Sequence, residues 1–73
     1  MEYKVVLEYD PEEDCWVTFV PALEDISTWG RTRDEALTNT REAIEGYLEA
    51  LKQEGLPFPP SRSVEIAEVV VAV

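Results

Sequence analysis

The side chains best suited to chemistry are carboxylates, and the first group of them is Asp10, Glu12, Glu13 and Asp14. Several oxygens so close together could hold Ca²⁺ or Mg²⁺, because hard cations prefer oxygen ligands. The segment lacks the alternating spacing and the glycine of an EF-hand loop, and Pro11 interrupts it. A solvated turn at the tip of a β-hairpin is therefore the preferred interpretation.

A second group of carboxylates lies in a stretch with helical periodicity and could be proposed for acid–base catalysis. Asp34 and Glu35 fall in the first turn of the predicted helix, where the helix dipole favours anions. Glu42, Glu45 and Glu49 form a ridge on the side away from the apolar residues. A structural and solvated role is preferred for all five.

Cysteine and tryptophan are the remaining candidates. Cys15 is the only cysteine and no histidine is present, so a thiol nucleophile has no base and a zinc site lacks ligands. A buried strand cysteine is the simpler interpretation. Trp29 precedes Gly30, which indicates a close backbone approach, and the tryptophan is either a core residue or an interface anchor. The sequence offers no constellation for catalysis, and we expect no enzyme, cofactor or metal.

Residues 28–55 predict one α-helix. Thr32 is suited to be its N-cap, and Glu35 three residues later completes a capping box. Gly55 stands where a left-handed C′ residue belongs, and Pro57 prevents continuation. Between them, residues recur at three- and four-residue steps and predict one apolar stripe. The stripe consists of Ala36, Leu37, Thr40, Ala43, Ile44, Tyr47, Leu48 and Leu51.

Strand patterns precede and follow this helix. Residues 2–9 alternate as a half-buried strand, residues 15–20 return as the second strand of a hairpin, and residues 27–29 can form a short third strand. Prolines make residues 56–60 extended, and residues 62–73 regain β character. We predict a single α+β domain over residues 1–73. Its order is β-β-β-α-β, an antiparallel meander plus a last strand parallel to the first, with the helix on one face.

One helix cannot cover both faces of such a sheet. Tyr3, Val5, Leu7 and Tyr9 are expected to meet the helix, which leaves the opposite face open. A second subunit is the simplest cover, and a small core favours oligomerisation. The predicted oligomer interface is Val6, Trp16, Thr18, Val69, Val70, Val71 and Val73.

Charge restricts the partners of the chain. Its 73 residues include 16 acidic and 6 basic side chains, for a formal charge of −10. Direct binding of nucleic acid is improbable, because such affinity depends on cationic contacts to phosphate. The acidity fits a basic protein partner, although it could simply maintain solubility. A lone cysteine and a start without a signal peptide predict the cytoplasm, and no apolar run is long enough for a membrane.

A set of residues spread over nearly the whole chain has a familiar pattern. It comprises the strand from Tyr3 to Tyr9, Val20-Pro21 with Leu23, Gly30-x-Thr32-x-x-Glu35-Ala36-Leu37, Asn39, Glu42-Ala43-Ile44, Tyr47-Leu48, Gly55, Pro57, Pro59 and Pro60. In this combination the sequence resembles the HicB-like antitoxin domain of bacterial and archaeal toxin–antitoxin pairs. The resemblance implies a partly degraded RNase H-like fold without nuclease activity. It also implies oligomers and a partner, a small basic mRNA-cleaving toxin of the HicA type.

Two features depart from the family pattern. Glu24-Asp25 replaces the usual glycine after the Pro-x-Leu pattern, which makes that loop more acidic. Family members usually continue into a DNA-binding domain, whereas this sequence ends at Val73, so binding at an operator is not expected.

The sequence thus predicts an antitoxin-like protein that neutralises a basic toxin by occlusion. The candidate toxin-binding residues, chosen by charge and position, are Trp29, Glu24, Asp25, Asp10, Glu12, Glu13 and Asp14. The alternative is a stand-alone oligomeric module that binds another protein or a small ligand. A residual magnesium-dependent nuclease using Asp10 and Asp14 is a distant third.

Overall fold

A computed structural model describes all residues from 1 to 73 and contains one sheet and one helix. The sheet has three antiparallel strands in the order β1-β2-β3. The elements are β1 (Val6–Asp10), β2 (Cys15–Val20), a 3₁₀ turn (Pro21–Leu23), β3 (Ile26–Gly30) and α1 (Arg33–Gln53). The predicted α+β class, the meander and the single helix are confirmed.

Strand β1 is shorter than the sequence predicted. Val6 pairs with Phe19, and Pro21 opens the 3₁₀ turn immediately after β2 ends. Residues 2–4 therefore extend beyond the end of β2, and residues 2–5 belong to no strand, although their alternating pattern continues. The sheet stops where its middle strand stops.

Both ends of α1 follow the predicted capping residues. The Glu35 amide donates to Thr32 Oγ1 at 3.0 Å, and Glu35 Oε1 accepts from the Arg31 amide at 2.9 Å, one residue earlier than in a standard capping box. At the C-terminal end Gly55 has φ 72°, and the Leu56 amide donates to the Leu51 carbonyl at 2.9 Å. This bond and a second from Gly55 form a Schellman motif. No helix is both long and apolar enough to cross a membrane.

The first half of α1 lies directly on β3. A Cβ added to Gly30 would stand 2.4 Å from the Ala36 amide nitrogen, so only glycine permits the contact. This confirms the predicted close approach. Ala36 at this contact is a completely buried apolar residue, and the other two, Val20 and Leu23, lie at or beyond the opposite end of the β2–β3 ladder.

The face of β2 that packs against the helix differs from the prediction. Leu7 pairs with Thr18, and Tyr9 pairs with Trp16, so these four side chains share the helix-facing side of the sheet. Thr18 Oγ1 on β2 and Thr40 Oγ1 on α1 share a hydrogen bond, so the Thr18 side chain points at the helix. The assignment of Trp16 and Thr18 to the face opposite the helix is therefore wrong.

The predicted last strand is absent from the sheet. Residues 56–73 form neither helix nor strand, and Val70 is 99% exposed. The Cα radius of gyration is 14.5 Å, against about 11 Å for a compact chain of this length. A valine-rich segment forms a strand only where the edge of another strand supplies hydrogen bonds. In this structure no strand pairs with the C-terminal segment. The RNase H-like arrangement needs that strand and stays a prediction.

Candidate functional site

The sheet face turned away from α1 is uncovered, and we call it the open face. Strand alternation places on it one set of side chains from each strand. They are Val6, Glu8, Asp10, Cys15, Val17, Phe19, Ser27 and Trp29. Apolar residues in the middle and carboxylates at one end give this face the composition of a binding surface.

Trp29 is the most prominent apolar side chain of the open face. Its side chain is 55% exposed, which resolves the open alternative in favour of a surface residue. The Asn39 side-chain amide on α1 donates to the Trp29 carbonyl at 2.8 Å and fixes the backbone beneath the ring. The Arg31 guanidinium lies 5.8 Å from the ring centroid, within cation–π range. The indole is therefore presented on a rigid strand.

A shallow cleft of about 360 Å³ connects Trp29 to the acidic hairpin tip. Its lining consists of Asp10, Glu13, Cys15, Val17, Ser27, Thr28, Trp29 and Arg31. The structure thus brings together three of the predicted partner-binding residues, Trp29, Asp10 and Glu13. Val17 and Arg31 were not predicted as site residues. Each follows another residue of the cleft, Cys15 or Trp29, by two positions, and this spacing is the signal that could have identified them.

Two carboxylates of the hairpin tip are engaged in local hydrogen bonds. Asp10 Oδ1 accepts from the amides of Glu12 at 3.0 Å and Glu13 at 3.3 Å. Asp14 Oδ1 accepts from the Tyr9 hydroxyl at 2.7 Å. That hydrogen bond is the main reason why the pKa of Tyr9 is raised above its usual value. The turn is thus ordered by its own acids, and no cluster of three or more acidic or cysteine side chains is arranged to hold a metal ion.

Glu24 and Asp25 lie at the other end of the sheet. Both have left-handed backbones, with φ of 56° and 55°, and they immediately precede Ile26 at the start of β3. Ile26 and Gly30 are the first and last residues of β3, and they lie roughly 13 Å apart at the usual rise per residue of a strand. The predicted partner-binding residues therefore form two separate acidic groups, of which only the hairpin tip shares a cleft with Trp29.

The predicted oligomer residues are also dispersed. Val6 lies on the open face and is half-buried. Trp16 lies on the helix side, with its ring centroid 5.4 Å from that of Tyr9. Thr18 is completely enclosed and is not available to a second subunit in this arrangement. The four valines between 69 and 73 are exposed on the extended tail.

The surface carries a large excess of unpaired negative charge. Only two ion pairs form, Arg33 with Asp34 at 4.0 Å and Arg41 with Glu45 at 3.7 Å. Both are exposed, so each contributes little to stability. The other acidic side chains have no ion-pair partner, and the formal charge of −10 is spread over the surface.

Comparison with known proteins agrees with the resemblance seen in the sequence. Residues 3–71 match the family model described as the HicB-like antitoxin of bacterial toxin–antitoxin systems. A UPF0150 protein of Thermoplasma acidophilum is 41% identical over 66 residues, 90% of this chain and 94% of that protein. A UPF0150 protein of Helicobacter pylori is 36% identical over 72 residues, 99% of this chain and 97% of that protein. No solved structure gives a significant match. This chain belongs to the HicB-like antitoxin family.

Proposed function

We propose that this protein is a non-enzymatic cytoplasmic antitoxin that binds a small basic mRNA-cleaving toxin of the HicA type. Neutralisation occurs by occlusion, as the acidic protein covers the cationic surface with which the toxin holds RNA. The observation that carries this proposal is the family match, which spans residues 3–71.

Charge supports the choice of a basic protein as the partner. A surface with a formal charge of −10 attracts a cationic protein over a long range and accelerates its association. The same field repels nucleic acid, so the proposal includes no direct contact with RNA or DNA.

The open face supports the choice of binding surface. Interfaces are commonly anchored by a few aromatic side chains in a rigid setting, surrounded by polar groups. Trp29 has this character, because Asn39 holds its backbone and the cleft to Asp10 and Glu13 adjoins it. A basic side chain of the toxin could enter that cleft and pair with the carboxylates.

The direct test purifies any small basic protein whose gene adjoins that of this chain, mixes the two proteins and measures RNA cleavage. We expect cleavage to fall stoichiometrically as the antitoxin is added. Unaltered cleavage at excess antitoxin would contradict the proposal and favour a stand-alone binding module.

Variants then test the surface. Trp29→Ala should weaken toxin binding by about 30-fold, the loss expected of an aromatic anchor worth about 2 kcal/mol. Glu12→Lys/Glu13→Lys should slow association by about tenfold at low salt. The side chains of these two glutamates make no hydrogen bonds, so the turn should persist.

The matched control for the charge variant is Glu42→Lys/Glu49→Lys on the exposed side of α1. It changes the net charge equally but is remote from the open face. Equal slowing in both variants would show that only net charge matters and that the cleft is not the contact.

A further inference from the structure

A second, larger cavity lies on the helix side of the molecule. It is a groove of about 520 Å³ between the segment that precedes β1 and residues 37–48 of α1. The lining is mostly apolar and consists of Met1, Tyr3, Val5, Leu37, Thr40, Arg41, Ile44, Glu45 and Leu48. Ile44 and Leu48 belong to the apolar stripe of α1 but remain only half-buried. The groove is thus a part of the core that lacks its cover.

The edge of the sheet beside this groove is also unsatisfied. β1 pairs only with β2, so the backbone groups on its outer edge have no partner strand. An exposed edge of this kind accepts a further strand readily.

The only unplaced apolar segment of the chain leaves the molecule at this point. The Tyr3 hydroxyl donates to the Pro59 carbonyl at 2.6 Å, and Ser61 lies against residues 2–4. Beyond it, residues 64–73, which we call the tail, project from the body with their large apolar side chains exposed. These are Ile66, Val69, Val70, Val71 and Val73.

The chain at the base of the tail is stiff. Leu56, Phe58 and Pro59 each precede a proline, and a residue in that position is held to extended conformations. A reversal within residues 56–60 is therefore disfavoured, and the tail continues away from its own sheet.

The charges of the two surfaces permit contact between copies. Two molecules of charge −10 repel each other, but residues 69–73 carry no charge. The only charged side chains lining the groove, Arg41 and Glu45, form an ion pair at 3.7 Å and so balance each other. The uncharged side chains of residues 69–73 would meet a groove whose two side-chain charges balance, whereas most other surfaces of this protein would bring carboxylates together.

We propose that two copies exchange tails. Residues 64–73 of each copy add a strand along the free β1 edge of the other, and their apolar side chains fill the groove beneath α1. The exchange is symmetric, because each copy both donates a tail and accepts one. It completes the sheet and the core of each molecule at once, and it does not depend on the toxin proposed above.

The first test measures molar mass in solution as a function of concentration by light scattering after gel filtration. We expect a dimer for the natural sequence. Val69→Lys/Val71→Lys should raise the dissociation constant at least about tenfold, because charged side chains replace apolar ones in the groove. Thr38→Lys/Gln53→Lys is the matched control, since it adds the same charge at exposed positions of α1 and should remain dimeric. A monomer at all concentrations, or equal dissociation of both variants, would overturn the proposal.

The second test separates exchange from return of the tail to its own sheet and does not require a disrupted variant. The chain has only two lysines, Lys4 near the base of the tail and Lys52 on α1. In Glu65→Lys, an amine cross-linker should join Lys4 to the new lysine of the tail. When ¹⁴N- and ¹⁵N-labelled proteins are mixed and allowed to re-equilibrate, exchange predicts cross-linked peptides that carry both labels. Peptides with a single label only would show that each tail returns to its own β1 and would overturn the proposal.

Discussion

The two halves of α1 carry one continuous apolar stripe but are buried very differently. In the N-terminal half, Ala36 and Thr40 are enclosed against β2 and β3. In the C-terminal half, Ile44, Leu48 and Leu51 are only half-buried. The amphipathic pattern decides which side of a helix faces the sheet, but it does not decide how much sheet is present.

The cause of the difference lies in β2. This strand ends at Val20 because Pro21 starts the 3₁₀ turn, so Ile44 and Leu48 share the groove with Met1, Tyr3 and Val5, which belong to no strand. In the packed half, Gly30 has no side chain and therefore lets the backbone of α1 at Ala36 approach β3 closely. The molecule therefore has a closed half, in which Ala36 and Thr40 are buried, and an unfinished half, in which Ile44, Leu48 and Leu51 remain partly exposed.

The largest effect is expected from Gly30→Ala in the closed half. The new Cβ would lie 2.4 Å from one backbone atom and 2.8 Å from two others, none of which can move independently of α1. We expect a loss of about 3–5 kcal/mol in the free energy of unfolding. A chain of this size has roughly 4–11 kcal/mol in total, so the variant should lose a large share of its stability.

The control is Gly46→Ala, which makes the same change in the middle of α1 where nothing lies within 4 Å. Alanine is the better helix former, so this variant should gain about 0.5–1 kcal/mol. Urea unfolding monitored by circular dichroism measures both. Similar stabilities for the two variants would mean that α1 does not touch β3 at Gly30.

A leucine-to-alanine pair compares a closed site with the open groove. Leu23 is completely buried in the 3₁₀ turn after β2, and its replacement should cost about 3 kcal/mol. Leu48 lines the open groove, where its replacement should cost only about 1 kcal/mol in dilute protein. The cost at Leu48 should grow with protein concentration if tails fill the groove. Equal costs in dilute solution would show that the groove is closed within one chain.

The elements that the sequence predicted well are those specified locally. Thr32, Glu35 and Gly55 define the ends of α1 through bonds to residues at most five positions away. The hairpin and the meander follow in the same way from short turns. Such signals are present in any window of the sequence and need no knowledge of the rest of the fold.

The errors concern pairing between distant elements. Both faces of β2 are largely apolar, so alternation could not decide which faces α1; the choice depends on the meeting of Thr18 with Thr40 across 22 positions. The valines of the tail have strand propensity but no partner within the chain. The candidate acids were chosen by charge and position, and the pairing of Ile26 with Val20 shows that Glu24 lies far from the hairpin tip.

The smallest effect is expected where the closed half reaches solvent, at the bond from Tyr9 to Asp14. This bond and the nearby carboxylates raise the pKa of Tyr9, so the folded protein favours the protonated phenol. Its contribution to stability is complete below the ordinary tyrosine value of about 10 and is lost as the pH rises through the higher folded value. Tyr9→Phe should therefore be slightly less stable than the natural protein at neutral pH, and the difference should shrink only in alkaline solution.

Asp14→Asn retains an acceptor oxygen and suits the left-handed backbone at that position, φ 50°, but removes the charge. It should lower the Tyr9 pKa towards its ordinary value in a titration followed by NMR of ¹³C-labelled tyrosine. An unchanged titration curve would show that the hydrogen bond does not persist in solution and that the closed half ends before the hairpin tip.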